Sequence, residues 1–490
     1  MPFREMSREQ MWMLPPTLDE LLPPDHRARF VAEFVDALDR EGWAELGVEM
    51  GGEPLGAPAY HPRALLCVWL YGFMTGVRSC RKLETACRDQ IPYLWLTGWQ
   101  YPDHNTLWRF YRKHRSDMRK LFERTVRTAV TMGLLDLAVQ AVDGTKMVAN
   151  ASKDRVYDAE ELRALLGRLD KTISELEAQN EAGEDEPAVN LPEELADKKV
   201  LKEQVRQAMD DLAGRGRQKC INLTDRDARL MKSSQGIVTG YNAQAMVSPL
   251  EPSVGANGML VTAADVVDEP NDSAQLVPML EQSEETTGAR AQVTLADAGY
   301  HSGSALDECA RRDRKLVMPE SSRRRAQHHP YHKDRFIYDQ CNDSYLCPHG
   351  QTLTPVGSIR SPNGTPRRVY RAPAATCQAC PAFGVCTNDL LNGRALTIGP
   401  HDAVLRRHRT WMSTREAQEI SKRRKQLIEP VFGIIKEQQG ARRFLLRGLV
   451  NVAAEWILLA TAFNLRTLWR IWRSGAVGFL PCSPASQPIP

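Results

Sequence analysis

Long apolar runs are missing from this 490-residue chain. The longest, residues 452–465, is broken by Glu455 and carries Asn464 near its end. A bilayer span needs roughly 20 consecutive apolar residues, so no membrane helix is expected. The opening stretch, Met-Pro-Phe-Arg-Glu-Met-Ser-Arg-Glu, has no apolar core and does not read as a secretory signal. A disulfide framework is not expected either, because the 11 Cys are odd in number. A surplus of one charge is absent: 64 Lys+Arg face 61 Asp+Glu, for a net +3. What is present is an ordinary globular composition. Hydrophobic residues make up 42%, which excludes wholesale disorder. The length exceeds one ordinary core, so about two to four domains are expected, in a cytoplasmic protein.

The balanced charge hides a split. Residues 181–186 are acidic. Residues 406–447 hold 12 Lys+Arg against four Glu, and residues 311–335 hold nine Lys+Arg. Solvated helix faces account for either basic cluster alone; together they suggest a phosphate-rich partner.

Periodicity divides the chain. Residues 60–135 read as helices, with Ser79 and Asp103 or Asn105 as start signals and an aromatic turn at 92–102. The order of short helices followed by a basic helix through Trp108, Phe110, Tyr111 and Met118 resembles a helix-turn-helix. A plain helical bundle fits the same pattern. At Leu137 the period becomes two, giving a strand with Asp143 near its end. Further strands are expected at 241–247, 259–267, 292–296 and 315–318. Asn271 or Asp272 opens a helix and Ser302 caps another. Between 154 and 214, Leu162, Leu166, Leu169, Ile173 and Leu176 step as a heptad seam, and Leu195, Leu201, Val205, Met209 and Leu212 form a second stripe. An inserted antiparallel helical hairpin follows.

Three carboxylates stand out. Asp143 lies in Ala-Val-Asp-Gly-Thr-Lys and Asp297 in Leu-Ala-Asp-Ala-Gly-Tyr, each expected at a strand exit with Gly within two residues. A carboxylate there is held rigidly, and Gly lets a ligand approach the backbone. A turn residue or helix cap explains either one alone. Glu429 lies in Leu-Ile-Glu-Pro-Val-Phe-Gly-Ile-Ile-Lys, with Lys436 two helical turns onward. Pro430 disfavours helical geometry at the residue before it, so a kink or boundary between 425 and 430 is expected, aiming Glu429.

Asp143, Asp297 and the Glu429-x6-Lys436 helix, in this strand order, resemble the DDE transposases of bacterial insertion sequences. Residues 60–105, Gly240-Tyr-Asn-Ala-Gln, Ala296-Asp-Ala-Gly-Tyr, Ile428-Glu-Pro-Val-Phe-Gly-Ile-Ile-Lys and Arg442-Arg-Phe-Leu-Leu-Arg-Gly-Leu bring the resemblance closest to the insertion sequence 1182 group, over roughly residues 20–470. One departure is visible. Where the family has Tyr and Arg ahead of the Glu, this chain has Lys422 and Lys425, with Arg424 adjacent. The resemblance implies an α/β, RNase H-like mixed-sheet catalytic core over 136–335 and 400–475. It further implies an N-terminal helical DNA-binding domain (1–135), the inserted hairpin (154–215), an inserted zinc-ribbon-like module (336–399) and a tail (476–490). It implies Mg²⁺ or Mn²⁺ held by Asp143, Asp297 and Glu429, because clustered hard carboxylates suit a metal pair that cleaves phosphodiesters. DNA phosphates would meet Lys422, Arg424, Lys425, Lys436, Arg442 and Arg443. The implied activity is cleavage and rejoining of element ends on double-stranded DNA, at terminal inverted repeats and target, by a homodimer in the bacterial nucleoid. A catalytically inactive DNA-binding relic and a metal-dependent nuclease without strand transfer are the alternatives.

Cys347, Cys377, Cys380 and Cys386 form a second constellation. The Cys-x2-Cys spacing and four thiolates suit structural Zn²⁺, with Cys341 and His349 as substitutes. Short strands are expected around it at Phe336, Tyr338, Tyr345 and Val369-Tyr370. Cys67, Cys80, Cys87, Cys220 and Cys309 stand singly and read as packing residues.

Overall fold

Seven helices begin the fold: α1 (Arg27–Asp36), α2 (Arg40–Glu45), α3 (Pro62–Thr75), α4 (Cys80–Asp89), α5 (Ile91–Thr97), α6 (His104–His114) and α7 (Met118–Thr131). The structure, a computed structural model, describes residues 17–50, 59–181, 193–216, 218–233, 236–320, 329–361 and 364–475. Most of the acidic stretch, residues 321–328 of the second basic cluster and the tail lie outside the described residues. Ser79 caps α4 by accepting from Lys82 N, and Asp103 caps α6 by accepting from Thr106 N. The expected turn at 92–102 holds α5 instead. Pro92 sits in its first turn, where a missing N–H costs nothing, and Gly98 at φ 60° ends it.

The middle of the chain gives β1 (Val139–Val148), β2 (Val156–Asp158), α8 (Ala159–Glu181), α9 (Glu193–Gly214), β3 (Cys220–Asn222), β4 (Arg229–Ser233) and β5 (Gly236–Pro249). Then come β6 (Met259–Val267), α10 (Leu276–Thr287), β7 (Val293–Leu295), α11 (Gly303–Arg311) and β8 (Leu316–Val317). Six strands form one mixed sheet in the order β4-β5-β1-β7-β8, with β6 also on β5. Strands β4, β5, β6 and β1 pair antiparallel; β1, β7 and β8 run parallel. This mixed α/β architecture is consistent with an RNase H-like core. The α8–α9 pair meets along Leu162, Leu169, Val205 and Leu212, from both stripes of the sequence pattern, with Ala208 beside them.

Four helices, a π-helical turn and a small sheet complete the described residues. Strands β9 (Ile337–Asp339), β10 (Ser344–Leu346), β11 (Thr352–Arg360) and β12 (Pro366–Arg371), helix α12 (Ala374–Gln378) and β13 (Ala395–Ile398) make a separate five-stranded sheet. Next come α13 (Asp402–Met412), α14 (Arg415–Gly433), a π-helical turn (Ile434–Gln438) and α15 (Leu449–Arg473). The expected boundary before Pro430 is absent. Helix α14 runs through Pro430, and the irregularity falls after it, where the ladder widens into the π turn.

The strand alternation decides which layer covers which face. Val139 and Ala141 face a core shared with α3, α7 and α15; Val142 faces α10 and α11. The apolar stripe of α15 is buried almost throughout, from Val452 to Ile471. No helix among the described residues is long and apolar enough to cross a membrane.

Candidate active site

Strands β1 and β7 are parallel neighbours, pairing Ala141 with Leu295. Asp143 stands two residues past that pair on β1, and Asp297 two residues past it beyond the end of β7, so the parallel pairing brings both carboxylates to the same end of the sheet. They lie close enough for each other's charge to matter: burial raises the Asp143 pKa, the Arg424 guanidinium opposes that, and the Asp297 charge adds to the rise. Asp143 is mid-strand, not at an exit, because β1 continues to Val148. Asp297 leaves β7 directly and caps a 3-10 turn, accepting from Gly299 N at 2.7 Å.

Glycine makes room around both. A Cβ on Gly144 would stand 2.4 Å from Gln244 Nε2 and 2.6 Å from Asp272 Oδ1. A Cβ on Gly299 would meet Asp297 Oδ1 at 2.9 Å and Asp272 Oδ2 at 3.2 Å. Asp272 was expected at a helix start. It instead precedes α10 by four residues and turns inward. Its Oδ1 accepts from Lys146 Nζ (3.1 Å), Asn242 Nδ2 (2.6 Å) and Gln244 Nε2 (2.8 Å). Tyr300 donates to Gln244 Oε1, closing a network that ties β1, β5 and the Asp297 turn together. Burial, then the charges of Asp272, Asp143 and Asp297, push the Tyr300 hydroxyl well above its ordinary pKa, so it stays a donor. Sequence reasoning missed Lys146, Asp272 and Tyr300 as site residues. The signal lay in the quoted Asp-Gly-Thr-Lys and Ala-Asp-Ala-Gly-Tyr motifs; nothing local marked Asp272.

Helix α14 crosses this end of the sheet. Arg424 pairs with Asp143 at 2.6 Å, each side chain under a fifth exposed. Lys436, in the π turn, donates to Thr145 Oγ1 at 2.5 Å, and its pKa is lowered by burial against the opposing charges of Glu437 and Asp143. Glu429 is exposed, and among the described residues its carboxylate has no hydrogen-bond or ion-pair partner. Lys425 is likewise exposed and unpaired, Lys422 pairs with Glu419, and Arg442 with Glu437. Arg443 donates to Asn150 Oδ1.

A hard divalent cation takes carboxylate oxygens and usually keeps several waters. The Asp143–Asp297 pair has that donor chemistry. Among the described residues, however, no group of three or more His, Cys, Asp or Glu is placed to hold a metal ion. The same holds for the cysteines. Cys347, Cys377, Cys380 and Cys386 line one cavity of about 30 Å³, with His349 and Tyr331. Cys347 Sγ accepts from Gln351 N at 3.2 Å. Burial pushes the Cys386 thiol up; Arg394 lowers it, and the other three sulfurs raise it further. Cys341 is exposed and does not line this cavity. Of the single cysteines, Cys67, Cys87 and Cys309 are buried, and burial pushes the Cys87 thiol up to about 12.

The N-terminal helices are joined to the end of the chain by a buried ion pair. Arg78 Nη1 meets Glu455 Oε1 at 2.7 Å, with both side chains at most 5% exposed. Arg78 also donates to the carbonyls of Gly440 and Arg443, while Glu455 accepts from Leu445 N and Leu446 N. This clamp fixes the loop carrying Arg442 and Arg443.

Residues 16–113 match the family model described as Transposase domain (DUF772), which takes in α1 to α6. Residues 346–469 match the model described as Transposase DDE domain, from the cysteine cluster through Glu429 and Lys436 into α15. Asp143 and Asp297 lie between the two matched stretches. No curated protein and no solved structure matches the chain. A match to a transposase model thus stands towards each end of the chain, and both are of the kind found in bacterial-type transposases.

Proposed function

We propose that the chain is a DDE-type transposase of the insertion sequence 1182 group that cleaves and rejoins the ends of its own element. The observation that carries this reading is the sheet register, which brings Asp143 and Asp297 to the same end of the sheet beneath a helix of the matched DDE domain. Asp143 and Asp297, with Glu429 as the third carboxylate, would hold Mg²⁺ or Mn²⁺, which would supply activation of an attacking hydroxyl and charge stabilisation at the leaving oxygen. The chain's own part is positional. Lys146, Asn242 and Gln244 hold Asp272, and that network fixes the Asp297 turn against β1. Lys436 and Arg424 stand beside Asp143, where a scissile phosphate would bring negative charge. Lys422, Lys425, Arg442 and Arg443 extend that basic surface towards flanking phosphates. The α1–α7 helices bind the terminal inverted repeats, and joining two ends requires a homodimer on DNA in the nucleoid. In the small sheet, the shared cavity and the Gln351 N–H on Cys347 support a structural Zn²⁺ on the four cysteines.

The test is cleavage of a duplex carrying the element's own end, with and without Mg²⁺. Asp143→Asn should abolish cleavage and leave DNA binding largely intact. Equal loss of both would make Asp143 structural. The exposed, unpartnered Glu429 favours one competing reading, an inactive DNA-binding relic. That reading expects binding without any Mg²⁺-dependent cleavage. Cleavage without joined products would leave a nuclease.

A further inference from the structure

The distal part of the β11–β12 hairpin stands apart from every core among the described residues. Leu353, at its base, is buried in the small sheet's core, but each of residues 354–360 is exposed. Successive residues of a strand face opposite sides. Seven exposed residues in a row therefore mean that neither face of this strand is covered. At the base, β10 pairs with Leu353 and β13 pairs with residues 368–371. Beyond those pairings only two strands remain, with Ile359 opposite Arg367 and Arg360 opposite Pro366. That two-stranded tip spans two residue pairs and has no core beneath it, so burial does not account for it.

Its charge is one-sided. Residues 352–371 contain four Arg and no Asp or Glu. The two nearer the base are tied down: Arg368 pairs with Asp343 at 3.0 Å, and Arg371 lies 3.8 Å from Asp389. The two distal ones, Arg360 and Arg367, are exposed, and among the described residues neither side chain has a partner. The register places them on opposite faces, because Arg367 sits across from Ile359 and Arg360 is the next residue along. Charge on an exposed edge also guards against strand-to-strand aggregation. Either sign serves that purpose, and alternating signs serve it as well. The guard does not explain an all-arginine ribbon with cations on both faces.

We propose that the β11–β12 ribbon is a DNA-contact element that enters a groove of duplex DNA, with Arg360 and Arg367 meeting phosphates of the two flanking strands. The major groove admits a two-stranded ribbon, and its walls are two rows of phosphates. A ribbon basic on both faces matches that geometry; a ribbon basic on one face would match a flat acidic surface. The inference rests on the reading of the chain as a DNA-acting protein. It adds a contact on the small sheet, separate from the basic residues of α14 and the Arg442–Arg443 loop.

The experiment measures binding of the full chain to a labelled duplex of arbitrary sequence across a salt series. It compares wild type, Arg360→Ala/Arg367→Ala and Arg360→Lys/Arg367→Lys. Each phosphate contact contributes about 0.9 to the slope of log affinity against log salt. The alanine variant should lose about 1.8 from that slope and bind on the order of tenfold to a hundredfold more weakly near 0.1 M salt. The lysine variant should keep the slope, which rules out loss through misfolding. An alanine variant with the wild-type slope overturns the proposal. So does a ribbon whose arginines matter only for polyglutamate binding, which would make an acidic protein the partner. Wild type that fails to bind duplex at any salt overturns the underlying reading instead.

Discussion

The two sheets of this protein are built on opposite principles. In the large sheet, β5 is buried along nearly its whole length and is paired on both edges. Helices cover both faces: α15 with the N-terminal helices on one side, α10 and α11 on the other. In the small sheet, β11 is exposed from 354 to 360, and the core reduces to Phe336, Tyr345, Leu353, Tyr370, Ala372 and Leu396. The large sheet holds its carboxylates through strand register, burial and the hydrogen-bond network around Asp272. The small one has a core of six residues and adds polar ties to α13. Lys333 and Arg406 grip Asp402, and Arg409 grips Asp334.

Four changes would break or sharpen this contrast. The largest effect should come from Glu455→Ala, which leaves Arg78 buried without its counter-charge. Breaking such a pair costs about 3–5 kcal/mol. Global unfolding in denaturant should move accordingly, and a shift below about 1 kcal/mol would show that water reaches Arg78. Phe336→Ala removes the largest fully buried side chain of the small sheet. It should cost up to about 3–5 kcal/mol locally. Limited proteolysis should then cut residues 329–398 while the large sheet stays protected, and simultaneous loss of both would deny the small sheet its independence.

The third change reads pH. Asp402 is buried, which alone would raise its pKa, yet the hydrogen bonds from Lys333 and Arg406 outweigh that and lower it. A lowered carboxyl pKa stabilises the fold above the unfolded value, about 3.9, and that stability is lost as pH falls through the folded value. Hydrogen bonds to a charged group contribute about 1.5–3 kcal/mol each. Asp402→Asn should therefore lower stability at neutral pH and flatten the acid limb of the small sheet's unfolding curve. An unchanged acid limb would place the tie elsewhere. The smallest effect belongs to Gly393→Ala. Gly393 has φ +71°, and an added Cβ would stand 2.5 Å from Cys377 Cβ. The left-handed backbone alone costs about 1–2 kcal/mol for a residue with a Cβ. On the proposed zinc reading, the variant should also hold less zinc by metal analysis than wild type, and equal content would separate Gly393 from the cysteine cluster.

Legibility in the sequence followed burial. Alternation around Leu137, Tyr241 and Met259 marked β1, β5 and β6, because half of each strand must be apolar to meet a helix layer. The short strands β2, β3 and β4 carried no such pattern and went unread. The capping residues Ser79, Asp103 and Ser302 were readable because a side-chain oxygen at a helix start acts within three residues. Asp143 and Asp297 were singled out from their strands and glycines. Asp272 was read as a helix start, since only the fold brings it to Lys146, 126 positions away.

The sequence by itself determined the helix and strand periods, the caps, the cysteine spacing and the one-sided charge of the ribbon. The periods and caps depend on residues within a turn or two of one another, and the cysteines and arginines are read directly from residue type. Tertiary structure alone decided the rest. It brought Asp143 and Asp297 to one end of the sheet through the β1–β7 pairing, joined Arg78 to Glu455 across 377 positions, and carried helix α14 through Pro430 without interruption. Local preference disfavours the last of these, but Leu427, Ile428, Val431 and Phe432 are buried on either side of the proline. Their packing holds the helix where a free peptide would break it.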